Sequence, residues 1–246
     1  MMICKTCQAD ISEDTKYCTE CGTLVTKNNF LKNKKSLILL IPILILVISI
    51  PAYIVYQKLP IEYEVGGIIG EYVGDKKNGI PHGYGKWNGR DDLETRYFLF
   101  FYEGEWFEGK RHGTGTNSSI SFGDKAEDNT THIYVGDWVN DKRHGMGVSV
   151  LEMPAIGTIE YEGEWADNQK HGYGVETMEG VLNTIYSGNW KDGKKHGRGT
   201  EDCSFFGKQE GRWVNGKMDG LFKVTDTNGR VMNYMYSQGE LLYIRR

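Results

Sequence analysis

The sequence of 246 residues predicts a mainly β chain: an elongated antiparallel sheet of repeated β-hairpins, preceded by a cysteine-rich segment and one apolar helix. Three observations carry that prediction. A glycine- and aromatic-rich line recurs from Tyr72 to the C-terminus. Four cysteines crowd into the first 21 residues, and an uncharged apolar run lies between these two regions.

The recurring line reads YEGEWADNQKHGYG at Tyr161. Close copies are YEGEWFEGKRHGTG at Tyr102, YVGDWVNDKRHGMG at Tyr134 and YSGNWKDGKKHGRG at Tyr186. YVGDKKNGIPHGYG at Tyr72 lacks the tryptophan, and QEGRWVNGKMDGLF at Gln209 has Asp219 where the others have histidine. A last fragment, MNYMYSQGELLY from Met232, has Tyr236 at the tryptophan position. Successive starts lie 30, 32, 27, 25, 23 and 23 residues apart, with the variation confined to the connections after each fourteen-residue unit.

Tyr161, Gly163 and Trp165 are spaced by two, which puts them on one face of a strand with Glu162 and Glu164 on the other. Asp167 to Lys170 supply turn residues. Gly172 and Gly174 then open a returning strand, and their missing side chains are expected to make room for the indole of a neighbouring unit. Such a hairpin cannot bury its aromatic face alone, so stacked units should share a continuous aromatic stripe.

This pattern resembles the MORN (membrane occupation and recognition nexus) repeat, whose consensus is similar to YxGxWxxGxxHGxG. The resemblance spans residues 60–246, with repeat starts near 72, 102, 134, 161, 186, 209 and 232. It implies a sheet of six or seven hairpins acting as a scaffold or binding surface. Lipid binding has been proposed for the family, and its repeats also accompany kinase and methyltransferase domains. No Gly-rich phosphate loop or nucleotide fingerprint occurs in this sequence, so a non-enzymatic protein is expected.

His82, His112, His144, His171 and His196 precede the same glycine in successive copies. A catalytic base is needed once, whereas a framework residue is needed in every unit. The expected role is therefore packing on an aromatic ring or bonding a turn carbonyl. Lys110, Arg111, Lys142, Arg143, Lys170, Lys194, Lys195 and Lys217 would form a basic ladder along one edge. It could meet phospholipid headgroups or anionic polymers. The simpler reading is that cations on a sheet margin keep it soluble and discourage edge pairing.

Residues 1–26 carry Cys4 and Cys7, then Cys18 and Cys21, each pair spaced CxxC. Four thiolates close a tetrahedral Zn²⁺ shell with no position left for water, so one structural ion is expected. Two disulfides or a redox CxxC pair are the alternative. The segment resembles the small zinc ribbons that precede a membrane anchor in many bacterial proteins.

A lysine-rich linker, 27–36, leads to the apolar span 37–57. Leu37 to Tyr56 contains no charge, and a helix of that length reaches about 30 Å, the thickness of a hydrocarbon core. Lys27, Lys32, Lys34 and Lys35 precede the span and only Lys58 follows closely. The positive-inside rule then keeps the N-terminus cytoplasmic and carries the repeats across the cell membrane. A reducing cytoplasm would also keep the four thiolates reduced.

Residues 1–60 contain seven Lys against four Asp or Glu, a sum of +3, which leaves −7 of the overall −4 on the remainder. That acidity argues against a nucleic-acid partner. Cys203 stands alone and is expected to be a buried small apolar residue, with an intermolecular disulfide as the alternative. The resulting expectation is a single-pass, membrane-anchored interaction protein with a protein partner, an anionic lipid or an envelope polymer on the repeat side. A ligand sensor and a phospholipid-binding module are the alternatives.

Overall fold

A computed structural model describes residues 2–3, 10–11, 58–92, 97–123, 125, 128–180 and 183–245. The chain divides into two compact units, Met1–Tyr53 and Ile54–Arg246. In the first, β1 (Met2–Ile3) pairs antiparallel with β2 (Asp10–Ile11). The expected zinc ligands Cys4, Cys7, Cys18 and Cys21, the linker 27–36 and the span 37–57 lie outside the described residues. Among the described residues no helix is long and apolar enough to cross a membrane.

The second unit is built on one antiparallel sheet of 16 strands. It begins with β3 (Ile61–Val65), β4 (Ile68–Lys77), β5 (Ile80–Asp92), β6 (Tyr97–Phe107) and β7 (Lys110–Phe122). It continues through β8 (Thr130–Val139), β9 (Lys142–Met153), β10 (Gly157–Ala166), β11 (Gln169–Gly180), β12 (Thr184–Lys191) and β13 (Lys194–Cys203). It ends with β14 (Gly207–Val214), β15 (Lys217–Met218), β16 (Gly220–Thr225), β17 (Val231–Ser237) and β18 (Glu240–Arg245). Neighbours in sequence are neighbours in the sheet, except that β15 and β16 both pair with β14.

Tight turns produce this meander. The pairs Asn78–Gly79, Glu108–Gly109, Asn140–Asp141, Asp167–Asn168, Asp192–Gly193, Asn215–Gly216 and Gln238–Gly239 all have both residues at positive φ. That is the type I′ turn, whose twist matches the twist of the strands it joins. Asn, Asp and Gly enter this conformation at least cost, which explains the turn composition. The turn is therefore two residues long and β11 starts at Gln169, earlier than the position of Gly172 suggests.

A bulge corrects the expected use of the glycines. Gly163 lies opposite Gly174, but Glu164 lies opposite His171, so Gly172 and Tyr173 are extra residues on the returning strand. Gly172 turns through φ 54° to make that excursion, a left-handed conformation that favours glycine. Gly163 and Gly174 serve the tyrosine of their own hairpin, not a neighbour's indole. A Cβ at Gly163 would stand 2.7 Å from the Tyr161 hydroxyl, and one at Gly174 would meet the same ring.

The Tyr161 hydroxyl, laid across the glycine pair, donates to the carbonyl of Glu164 at 2.9 Å. Tyr72, Tyr102, Tyr134 and Tyr186 donate in the same way to the residue three positions on. The indoles do use a neighbouring glycine, as an acceptor. Trp165 donates to the carbonyl of Gly147 at 3.1 Å, and Trp106, Trp138 and Trp190 donate to Gly85, Gly115 and Gly174.

The core lies on one face of the sheet and is almost wholly aromatic. Trp106, Trp138, Trp165 and Trp190 each stand edge-on between the tyrosine of their own hairpin and that of the hairpin before it. Trp165 is 5.2 Å from Tyr161 and 5.3 Å from Tyr134, at interplanar angles of 89° and 83°. The series runs from Tyr72 and Trp106 to Trp213, Phe222 and Tyr236 without a break. Edge-to-face pairs contribute about 0.5–1.5 kcal/mol each beyond the area they bury. Burial also holds the tyrosine hydroxyls above the usual phenol range.

Candidate functional site

The residue before His112, His144, His171 and His196 shares the aromatic face, because it lies across from the tryptophan, as Lys170 does from Trp165. This divides the expected basic ladder into two rows. Lys110, Lys142, Lys194 and Lys217 are exposed at the starts of the returning strands. Arg111, Arg143, Lys170 and Lys195 fold inward over the rings. Arg111 lies 4.5 Å from the Trp138 ring, Arg143 4.3 Å from Trp165, and Lys170 4.8 Å from Trp190. Such cation–π contacts contribute about 0.5–2 kcal/mol, more where water is excluded. The inner row is a lid on the aromatic core.

Most of the inner cations are also paired with acids. Arg111 meets Asp141 at 3.0 Å, Lys170 meets Glu176 and Lys195 meets Glu201. In the outer row Lys142 meets Asp167 at 3.0 Å. The free positive field is accordingly smaller than the count of basic residues suggests.

Two of the repeated histidines, His82 and His196, link one hairpin to the next. Nδ1 of His82 accepts the N–H of Glu108 at 3.5 Å, and Nδ1 of His196 accepts that of Asn215 at 3.4 Å. Both donors are first residues of the following turn, so the bond runs to a turn N–H and not to a turn carbonyl. Asp219 keeps this function: its Oδ1 accepts the N–H of Gln238 at 3.5 Å. His82 and His112 both pack against Phe107, at 5.3 and 5.7 Å. The second turn residue adds a backbone bond to the preceding hairpin, as Asn168 N–H does to the Arg143 carbonyl at 3.0 Å.

For the acidic residue ahead of Trp106, Trp138 and Trp165, strand alternation alone gives only an outward-facing position. Glu164 accepts the bulged N–H of Tyr173 at 2.9 Å, while Glu105 and Asp137 do the same for Thr114 and Met146. Its recurrence as Asp75, Glu105, Asp137 and Glu164 was the available signal. Cys203 is buried, as expected, and forms no disulfide among the described residues. Among the described residues no cluster of three or more His, Cys, Asp or Glu could hold a metal ion.

The aromatic face carries a run of shallow clefts. One of about 450 Å³ lies over Trp165, between Arg143, Lys170 and the side chains of Leu151 and Ile159. Another, of about 220 Å³, lies over Tyr134 between Arg111 and Arg143. His132, a histidine outside the repeated line, borders both.

Comparison with protein-family models finds the MORN repeat at residues 72–92, 102–116, 134–151, 161–179, 186–204 and 210–221. The chain carries six MORN repeats. They coincide with the hairpins that start near Tyr72, Tyr102, Tyr134, Tyr161, Tyr186 and Gln209. The seventh hairpin, β17–β18, continues the sheet beyond the last matched MORN repeat. No curated protein matched the chain.

Proposed function

We propose that this MORN repeat protein is a membrane-anchored, non-enzymatic scaffold whose sheet is its binding surface. The observation that carries the reading is the sheet itself. Its aromatic face is filled by stacked rings whose recurring tyrosine hydroxyls and indole N–H groups are taken up by backbone carbonyls of the framework. That leaves broad surfaces and shallow clefts, which suit a macromolecular partner better than a buried reacting centre.

The anchor is the apolar span 37–57, with the N-terminus in the cytoplasm and the MORN repeats on the other side of the cell membrane. Cys4, Cys7, Cys18 and Cys21 hold one structural Zn²⁺ on the cytoplasmic side. The partner of the repeats is a protein, or an anionic lipid or polymer of the envelope.

One experiment tests anchor and orientation together. A C-terminal epitope tag is followed while protease is added to intact cells stripped of their wall, and then to lysed cells. Loss of the tag in the intact sample supports the orientation. Protection until lysis overturns it and makes inner-leaflet phospholipid the leading ligand. Zinc content of the purified chain, near one ion per molecule and lost in Cys4→Ser/Cys18→Ser, tests the metal site separately.

A further inference from the structure

The clefts on the aromatic face differ in charge balance, and one cation stands out. Arg111, Lys170 and Lys195 each meet a carboxylate. Arg143 occupies the equivalent place in its hairpin and has none among the described residues. Two substitutions within the repeated pattern account for this. Asn168 stands in the turn where the preceding hairpin has Asp141, and Ser149 stands where the following hairpins have Glu176 and Glu201. The guanidinium of Arg143 keeps one bond, from Nη2 to the carbonyl of Asn168 at 3.0 Å.

The neighbours make this bare charge more costly. Arg143 is half-buried and faces Arg111 across the 220 Å³ cleft over Tyr134. Burial holds its guanidinium below the ordinary arginine value; Tyr134 opposes that shift, and the charge of Arg111 adds to it. His132 borders the same cleft, and burial together with Arg143 holds its imidazole below the usual histidine range. Among the described residues the one carboxylate lining this cleft, Asp141, already pairs with Arg111. Two guanidiniums thus face one carboxylate, giving a net charge of +1 that becomes +2 if His132 is protonated.

We infer that the cleft between Arg111 and Arg143 is an anion site that binds a phosphate monoester group, with His132 taking up a proton as the anion enters. A phosphate monoester carries about −1.5 to −2 at neutral pH and offers three acceptor oxygens, which matches the charge and the idle donors of Arg143. Leu151 and Ile159, in the adjoining 450 Å³ cleft, offer an apolar wall to whatever carries the phosphate. Lys170 and Glu176 in that cleft neutralise each other, and Asp192 lies on an exposed turn at its border. The inference does not depend on the membrane anchor or the zinc site.

Proton linkage sets the sign of the pH dependence. A depressed histidine is neutral near pH 7, and a bound dianion raises its pKa. Phosphate should therefore bind more tightly as pH falls through the raised bound value of His132, until protonation of the ligand's own dianion, whose second pKa is about 6, removes the gain.

The test uses the full chain in detergent micelles with histidine-labelled NMR, titrated with inorganic phosphate and with glycerol 3-phosphate. The His132 resonance, assigned by its loss in His132→Gln, should titrate at higher pH with either ligand present. Asn168→Asp supplies the carboxylate that Asp141 gives Arg111, in a turn position that Asp141 shows to accept Asp. It should weaken phosphate binding by at least about tenfold, as should Arg143→Gln. Lys194→Gln, at the exposed margin, should leave binding unchanged.

A second arm offers vesicles of phosphatidylcholine with and without phosphatidic acid. Arg143-dependent binding to the acidic vesicles, tighter than to the soluble ester, identifies a lipid as the source of the phosphate. Arg143-dependent preference for the soluble ester identifies a free metabolite. An unmoved His132, or equal phosphate affinity in Asn168→Asp and the unaltered chain, overturns the inference.

Discussion

The hairpin β10–β11 and the hairpin formed by β14 with β15 and β16 build the same core from different letters. In the first, Tyr161 lies over the glycine pair Gly163 and Gly174, with Trp165 beside it. In the second, Gln209 stands at the tyrosine position and Phe222 at the second glycine. Phe222 fills the vacant ring slot from the opposite strand: a Cβ on Gly211 would meet its ring at 2.6 Å, and Trp213 packs on it at 4.7 Å. The carbonyl of Arg212, which no tyrosine hydroxyl now reaches, accepts the N–H of Asp219 at 2.9 Å instead. What the repeat specifies is an aromatic slot over a bare patch of backbone, and either strand can supply the ring.

That comparison can be broken at three depths. Phe222 is fully buried, and Phe222→Gly should cost about 3–5 kcal/mol, seen as earlier urea unfolding by tryptophan fluorescence. Gly174→Ala forces a methyl group into the Tyr161 ring and should cost about 1–3 kcal/mol by the same measurement, whereas Gly216→Ala meets no such crowding and should show only the strain of its positive φ. The smallest effect concerns the link between hairpins. His196→Ala should lose about 0.5–1.5 kcal/mol, and His196→Asp should recover most of it, because Asp219 already makes the equivalent bond.

Much of this was legible in the sequence. Alternation of Tyr161, Gly163 and Trp165 with Glu162 and Glu164 identified strand and face, and the stacking of units followed from a hairpin that cannot bury its own rings. A framework role fits His82, His112 and His196, which bond the next turn or pack on Phe107, and Asp219 makes the equivalent bond. Spacing alone could not distinguish the two glycines. Gly172 answers to a backbone angle and Gly174 to a ring on the facing strand, and both read simply as glycines two apart. The division of the basic residues was hidden for a related reason. Whether Lys194 or Lys195 turns inward depends on the strand starting right after the two-residue turn, a boundary set by φ values and not by composition. The missing carboxylate at Arg143 can be read from Asn168 and Ser149 only once the register says which positions face it.

The claim that the repeat encodes a slot and not a residue is tested most directly by a double-mutant cycle at Gln209 and Phe222. Stability is measured by urea unfolding for the unaltered chain, Gln209→Tyr, Phe222→Gly and the pair. Each single change should destabilise: the first crowds an occupied slot, and the second empties it. The pair restores the YxG…G pattern of β10–β11 and should recover about 2–3 kcal/mol relative to the sum of the singles. Additive losses, with no recovery in the pair, would contradict the account.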